Sequence, residues 1–153
     1  MSIFLILIFV GCLLYHTYTD LKEMLLYDWV NLLLGFCGLS YAYKNNSILD
    51  AAYGFGIGFA VMLAVYLISR GGLGEGDVKL VPCLGLWLGM EKTLLCLLLA
   101  FILGAVIGIA LMFINKKNFN TAIPFGPFLC FSAFISFFFG NEMINLYWQI
   151  AFS

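Results

Sequence analysis

Few residues in this chain can do chemistry, and their positions are uneven. The acids are Asp20, Glu23, Asp28, Asp50, Glu75, Asp77, Glu91 and Glu142. Asp20 closes the first apolar stretch. Asp77 opens the fourth, inside Gly71-Gly72-Leu73-Gly74-Glu75-Gly76-Asp77-Val78-Lys79-Leu80. Two carboxylates brought close cannot both ionise easily, so one keeps a proton while its partner can activate water. An aspartic protease needs that pair. A plainer reading also stands: each Asp finishes a helix, with Asp77 as an N-cap. Gly74 and Gly76 flank Glu75, and glycine lets another backbone come close. Such a loop beside a carboxylate suits a site that admits an extended peptide. A second stiff segment, Ala122-Ile123-Pro124-Phe125-Gly126-Pro127-Phe128, has two prolines that fix φ and lack an N–H. It reads as one wall of a cleft or as a rigid entry to the last helix.

The elements that must position these residues are membrane spans. Of 153 residues, 64% are hydrophobic and 10% charged, with a net charge of -1. That excludes a soluble domain with a polar coat, a disordered chain and a basic nucleic-acid binder. A span takes ~20 apolar residues. Six apolar stretches are legible, at 3–19, 29–43, 51–69, 78–90, 93–115 and 128–140. The expected fold is an all-α membrane protein of about six transmembrane helices in one bundle, a single domain over 1–153. The tail from Asn141 reads as interfacial, anchored by Tyr147 and Trp148. The first stretch lacks the basic n-region of a signal peptide, since no Lys or Arg precedes Lys22, and it reads as a retained span. Cys12, Cys37, Cys83, Cys96 and Cys130 sit in apolar stretches with no CxxC spacing, so they read as small apolar side chains. Gly54, Gly56 and Gly58 in the third stretch, and Gly104 and Gly108 in the fifth, read as helix-packing positions.

Three segments together resemble the type IV prepilin peptidases, membrane aspartic proteases of the GxGD type. Asp20 through Asp28 is similar to the family's Asp followed by Ile/Leu-Pro and Asn or Asp. Gly74-Glu75-Gly76-Asp77-Val78-Lys79-Leu80, then Leu84-Gly85-Leu86-Trp87-Leu88-Gly89, is similar to GxGDxKL and a G-x-W-x-G run. Ile123-Pro124-Phe125-Gly126-Pro127 matches IPFGP. Two positions depart: Tyr27 stands where the family usually has proline, and Glu75 where it is often apolar or aromatic. The cytoplasmic CxxC segment tied to methylation in longer members has no counterpart in these residues, so the resemblance is to the peptidase core. It implies Asp20 and Asp77 as the catalytic pair, with no metal, organic cofactor or nucleic acid. It implies a prepilin-like substrate, cut after a glycine behind a basic leader, at the cytoplasmic face of a bacterial inner membrane, in lipid. Gly74, Glu75, Gly76, Lys79, Pro124, Gly126 and Pro127 are the candidates for substrate binding or loop support.

Other residues carry open readings. His16 precedes Asp20 by four and either bonds it or faces the bundle interior. Lys79 follows Asp77 by two, on a different side of a helix, and either supports the site or reaches the interface. Asp28 is the weaker candidate for the first aspartate. Two competing functions remain: a small transporter using acids as a proton or ion path, and a catalytically silent assembly protein. Against transport, the acids sit at helix ends.

Orientation follows from the cations. Lys22, Arg70, Lys79, Lys116 and Lys117 fall after odd-numbered stretches, and Lys44 and Lys92 after even ones. The positive-inside rule puts the odd loops, with Asp20 and Asp77, in the cytoplasm. A cysteine placed at Asn45 or Asn46 should therefore label only from the external side of sealed membranes. Labelling from the cytoplasmic side would reverse the topology.

Overall fold

The computed structural model describes residues 2–69, 72–115 and 124–151. Arg70, Gly71, Lys116, Lys117, Ala122 and Ile123, singled out above, lie outside them. Five helices follow in order: α1 (Ser2–Glu23), α2 (Asp28–Lys44), α3 (Ile48–Ser69), α4 (Glu75–Asn115) and α5 (Gly126–Ala151). α1, α3, α4 and α5 are each long and apolar enough to cross a membrane, and α2 has 17 residues. Ile3, Leu7, Leu32, Phe36, Ile68 and Phe113 are each more than 60% exposed. Large apolar groups over the outside suit lipid rather than water. The protein is a multi-pass, all-helical membrane protein.

The expectation of about six separate helices is not met. Stretches 78–90 and 93–115 are parts of one 41-residue element, α4. A straight helix of that length would reach ~60 Å, twice the ~30 Å hydrocarbon core. Gly89 resolves the conflict, because its φ of 73° and ψ of -177° are not helical. Contacts on either side show the chain doubling back there. Lys79 meets Asp28 and Trp87 meets Leu34, so the first half runs alongside α2 in the same direction. Lys92 lies against Gly140, Cys96 reaches the Leu129 carbonyl, and Gly104 faces Phe125. The second half therefore runs antiparallel to α5. A Cβ at position 89 would strike the Asp50 carboxylate, which instead accepts the Met90 N–H at 2.9 Å. Asp50 thus satisfies an otherwise unpaired donor where the returning half begins.

Two other boundaries differ from the sequence reading. α1 continues one turn past Asp20, to Glu23. α5 continues through Tyr147 and Trp148 to Ala151, so the described part of the expected interfacial tail is the last stretch of a 26-residue helix.

Lipid is as apolar as leucine, so helices in it associate through close fit and hydrogen bonds. α3 and α4 touch backbone to backbone: a Cβ on Gly54 would meet the Gly85 carbonyl oxygen, and one on Gly85 the Gly54 carbonyl. Gly58 rests on Val81. Gly56 faces open space, so the packing role expected of all three glycines holds for two. Trp87 joins the remaining helices. Its ring lies 4.8 Å from that of Phe9 and 5.1 Å from that of Tyr41, and its indole N–H donates to the Leu34 carbonyl at 2.9 Å. Phe137 on α5 completes the cluster, 4.9 Å from Phe9.

Gly54→Leu or Gly85→Leu should force α3 from α4 and cost about 1–3 kcal/mol or more, the range for overpacking. Gly56→Ala should cost nothing. Thermal denaturation in detergent distinguishes the two outcomes.

Candidate active site

The site lies where three helix ends meet. Asp20 is in the last turn of α1, and Asp77 in the first turn of α4. Asp77 is not the expected N-cap, because α4 starts two residues earlier at Glu75, and its N–H donates to the Gly74 carbonyl at 3.2 Å. Asp20 is 6% exposed and Asp77 5%. Both line one cavity of about 270 Å³, together with Met24, Leu25, Leu26, Asp28, Gly74, Glu75, Gly76 and Lys79. The structure thus brings together two aspartates that stand 57 positions apart in the chain, 77 minus 20.

A carboxylate at the C-terminus of a helix faces the negative end of its dipole. Asp20 is relieved by a different helix. α5 begins at Gly126, whose N–H donates to Asp20 Oδ2 at 2.8 Å. That amide is one of the donors a helix start leaves unpaired, so α5 offers Asp20 its positive end. Asp77 sits at the corresponding end of α4. Asp77 Oδ1 is buried with no hydrogen bond to any described group. Among the described residues, each carboxylate therefore keeps an oxygen with no hydrogen bond recorded to it.

Glycine is required here by space. A Cβ on Gly126 would lie 2.6 Å from Asp20 Oδ2, and one on Gly76 2.8 Å from the Leu26 Cβ. A Cβ on Gly74 would lie 3.2 Å from Asp77 Oδ2. The GxGD glycines thus let the 24–27 connection and the Asp77 carboxylate sit tightly against the start of α4.

The remaining candidates divide. Gly74, Glu75, Gly76 and Lys79 join the aspartates in the cavity wall. Pro124 and Pro127 do not line it. Pro127 is the second residue of α5, where a missing N–H costs nothing. The third segment reaches the site through the Gly126 amide. Lys79 contacts neither the dyad nor the interface as its main partner. It bonds Asp28, at 2.9 and 3.1 Å to the two carboxylate oxygens. Asp28 is 64% exposed and so engaged, unlike buried Asp20. Glu75 accepts from the Tyr66 hydroxyl at 3.2 Å, and Glu23 from the Tyr27 hydroxyl at 2.7 Å. The tyrosine that replaces proline thus ties the connection back to α1. The hydrogen bond to Glu23, and then its charge, hold the Tyr27 phenol above its usual pKa.

His16 is fully buried beside Asn31 and makes no hydrogen bond to Asp20. Sequence reasoning passed over Asn31, Ser132 and Ser136, all buried polar groups within apolar helices. Their polarity inside apolar stretches was the available signal. All five cysteines are free, and four are buried, as small apolar side chains would be.

The chain belongs to the type IV leader peptidase family, whose sequence profile matches residues 7–109. It is 34% identical over 138 residues to a protein of Aeromonas hydrophila named prepilin leader peptidase/N-methyltransferase, covering 86% of this chain and 48% of that one. A protein of the same name from Legionella pneumophila is 48% identical over 75 residues, 49% of this chain and 26% of its own length. Another, from Pseudomonas aeruginosa, is 30% identical over 124 residues, 80% of this chain and 42% of its own. The chain spans about half the length of the curated relatives it matches, or less. No solved structure matches it.

Proposed function

We propose that the chain is a membrane aspartic endopeptidase that removes the basic leader from type IV prepilin-like proteins, cutting after a glycine at the cytoplasmic face of the bacterial inner membrane. One observation carries this reading: two nearly buried aspartates, on different helices, share one cavity. The names of the relatives and the three sequence segments supply the substrate class. The cation asymmetry supports the membrane face.

The chemistry follows from the pair. One carboxylate is ionised and its neighbour protonated. The ionised group takes a proton from water as the oxygen attacks the scissile carbonyl carbon. The protonated group gives its proton to the carbonyl oxygen. The tetrahedral intermediate then collapses: the ionised carboxylate takes the proton of one hydroxyl, the C–N bond breaks, and the protonated carboxyl gives its proton to the leaving amine. The Gly126 N–H fixes one Asp20 oxygen throughout, so the other faces the reaction. Both carboxylates sit at the end of the bundle, where a leader in water and an apolar helix in lipid can be held at once.

Asn has the shape of Asp but cannot ionise. Asp20→Asn and Asp77→Asn should each lower leader cleavage by ~10²–10⁴ or more, with the fold and membrane insertion kept. The double variant should be little worse than either, because the pair acts as a unit. Asp28→Asn should be far milder. Gly126→Ala should lower cleavage on the order of tenfold by displacing Asp20. The assay is leader cleavage in membranes, with protein amounts checked by blot. Full cleavage by both Asp20→Asn and Asp77→Asn would end the aspartic-protease reading. Loss with Asp28→Asn but not Asp20→Asn would move the first aspartate to position 28.

A further inference from the structure

The Asp28–Lys79 pair joins the two parts of the chain that carry the aspartates. Asp28 is the first residue of α2, and the 24–27 connection ties it to the last turn of α1, where Asp20 lies. Lys79 is two residues past Asp77. The pair closes 51 residues of chain and is the only ion pair among the described residues. Both partners line the cavity of the dyad.

The connection has other holds: Leu26 and Tyr27 pack on the core, and Tyr27 bonds Glu23 of α1. Met24 adopts a positive φ of 53°, and its N–H donates to the Asp20 carbonyl at 3.0 Å, so the chain turns sharply one helical turn after the aspartate. Leu26 rests against Gly76. Among the described residues, the Lys79–Asp28 pair is the polar side-chain link between the start of α2 and the start of α4. A half-exposed pair contributes little to overall stability. Its geometry matters more: Lys79 Nζ reaches both oxygens of one carboxylate, which restrains the approach of one helix end to the other. Reacting groups are sensitive to such spacing, and a shift of about 1 Å can cost on the order of 10²-fold in rate.

We propose that Asp28 and Lys79 are positioning residues: their ion pair clamps the α1–α2 connection to the start of α4 and so sets the separation of Asp20 and Asp77. This rests on the peptidase reading for its rate effects. The clamp itself exists with or without substrate. Asp28 acts through the backbone of the connection and Lys79 through the first turn of α4, and neither touches the scissile bond.

The test is a double-mutant cycle on the full chain in membranes, with prepilin cleavage as the readout. Asp28→Asn and Lys79→Met should each lower kcat on the order of tenfold, with KM little changed. The double variant should fall by about the same tenfold, because the second change removes a clamp already open. Lys79→Arg and Asp28→Glu keep the pair and should retain most activity. A second readout needs no cleavage. Leu26→Cys should be labelled faster by a membrane-impermeant maleimide in the Asp28→Asn or Lys79→Met background than in the parent. Independent, multiplying losses would overturn the proposal, as would unchanged labelling. A rise in KM confined to leaders with basic residues would also overturn it, assigning Asp28 to substrate contact instead. If the parent chain cleaves nothing while labelling responds as expected, the clamp stands and the peptidase reading fails.

Discussion

Keeping two carboxylates nearly out of water, side by side, is the constraint on which this structure turns. An isolated charge in such a place is expensive, and two are worse. The bundle meets the cost with helix ends. The α5 start gives its Gly126 amide to Asp20, and Asp77 stands in the first turn of α4. Each acid therefore meets the positive end of a helix, Asp77 that of its own α4 and Asp20 that of α5. For that to happen, α1 must finish where α4 and α5 begin, and the path of the chain has to bring those three ends to one level.

The doubling back at Gly89 makes that arrangement available. The first half of α4 rises from the site and the second half descends, so α5 can start beside Asp20 and run up past Phe9. Without the reversal, a 41-residue helix would carry the chain far beyond the bilayer. At the opposite end, Asp50 does for the returning half what Gly126 does for Asp20, with donor and acceptor roles exchanged. Backbone contact between Gly54 and Gly85 holds the outgoing half of α4 against α3. Trp87, bonded to Leu34 and packed on Phe9 and Tyr41, ties that half to α1 and α2. The core is thus a rigid upper part under which the site is hung.

Around the site mouth, the other carboxylates are in use. Glu23 is held by Tyr27, Glu75 by Tyr66, and Asp28 by Lys79. The two residues that depart from the family pattern, Tyr27 and Glu75, both take part in these ties. Their bonds lie on the rim, exposed, and leave the aspartates themselves untouched. A rim knit by weak polar contacts suits the proposed entry of an extended peptide.

By itself the sequence determined the class of protein, and it singled out the two aspartates and the glycines that the fold brings to one cavity. A chain so poor in charge can only enter lipid, and acids spared at the ends of apolar stretches stand out against that background. Stretches 3–19 and 51–69 were legible because each is one continuous apolar run. The count of helices was not, because Gly89 reads like any other glycine in a glycine-rich chain. Its positive φ, and the reversal it allows, come from contact with Asp50, 39 residues earlier. Lys79 looked misdirected because helical spacing describes only its own helix, while its partner stands on another. Gly126 looked like part of a stiff wall, whereas its amide bonds Asp20 across 106 residues. Local pattern fixes which face a residue takes and which groups a helix end leaves unpaired. Which of those ends meet is decided by packing between distant segments, and only the tertiary structure contains that.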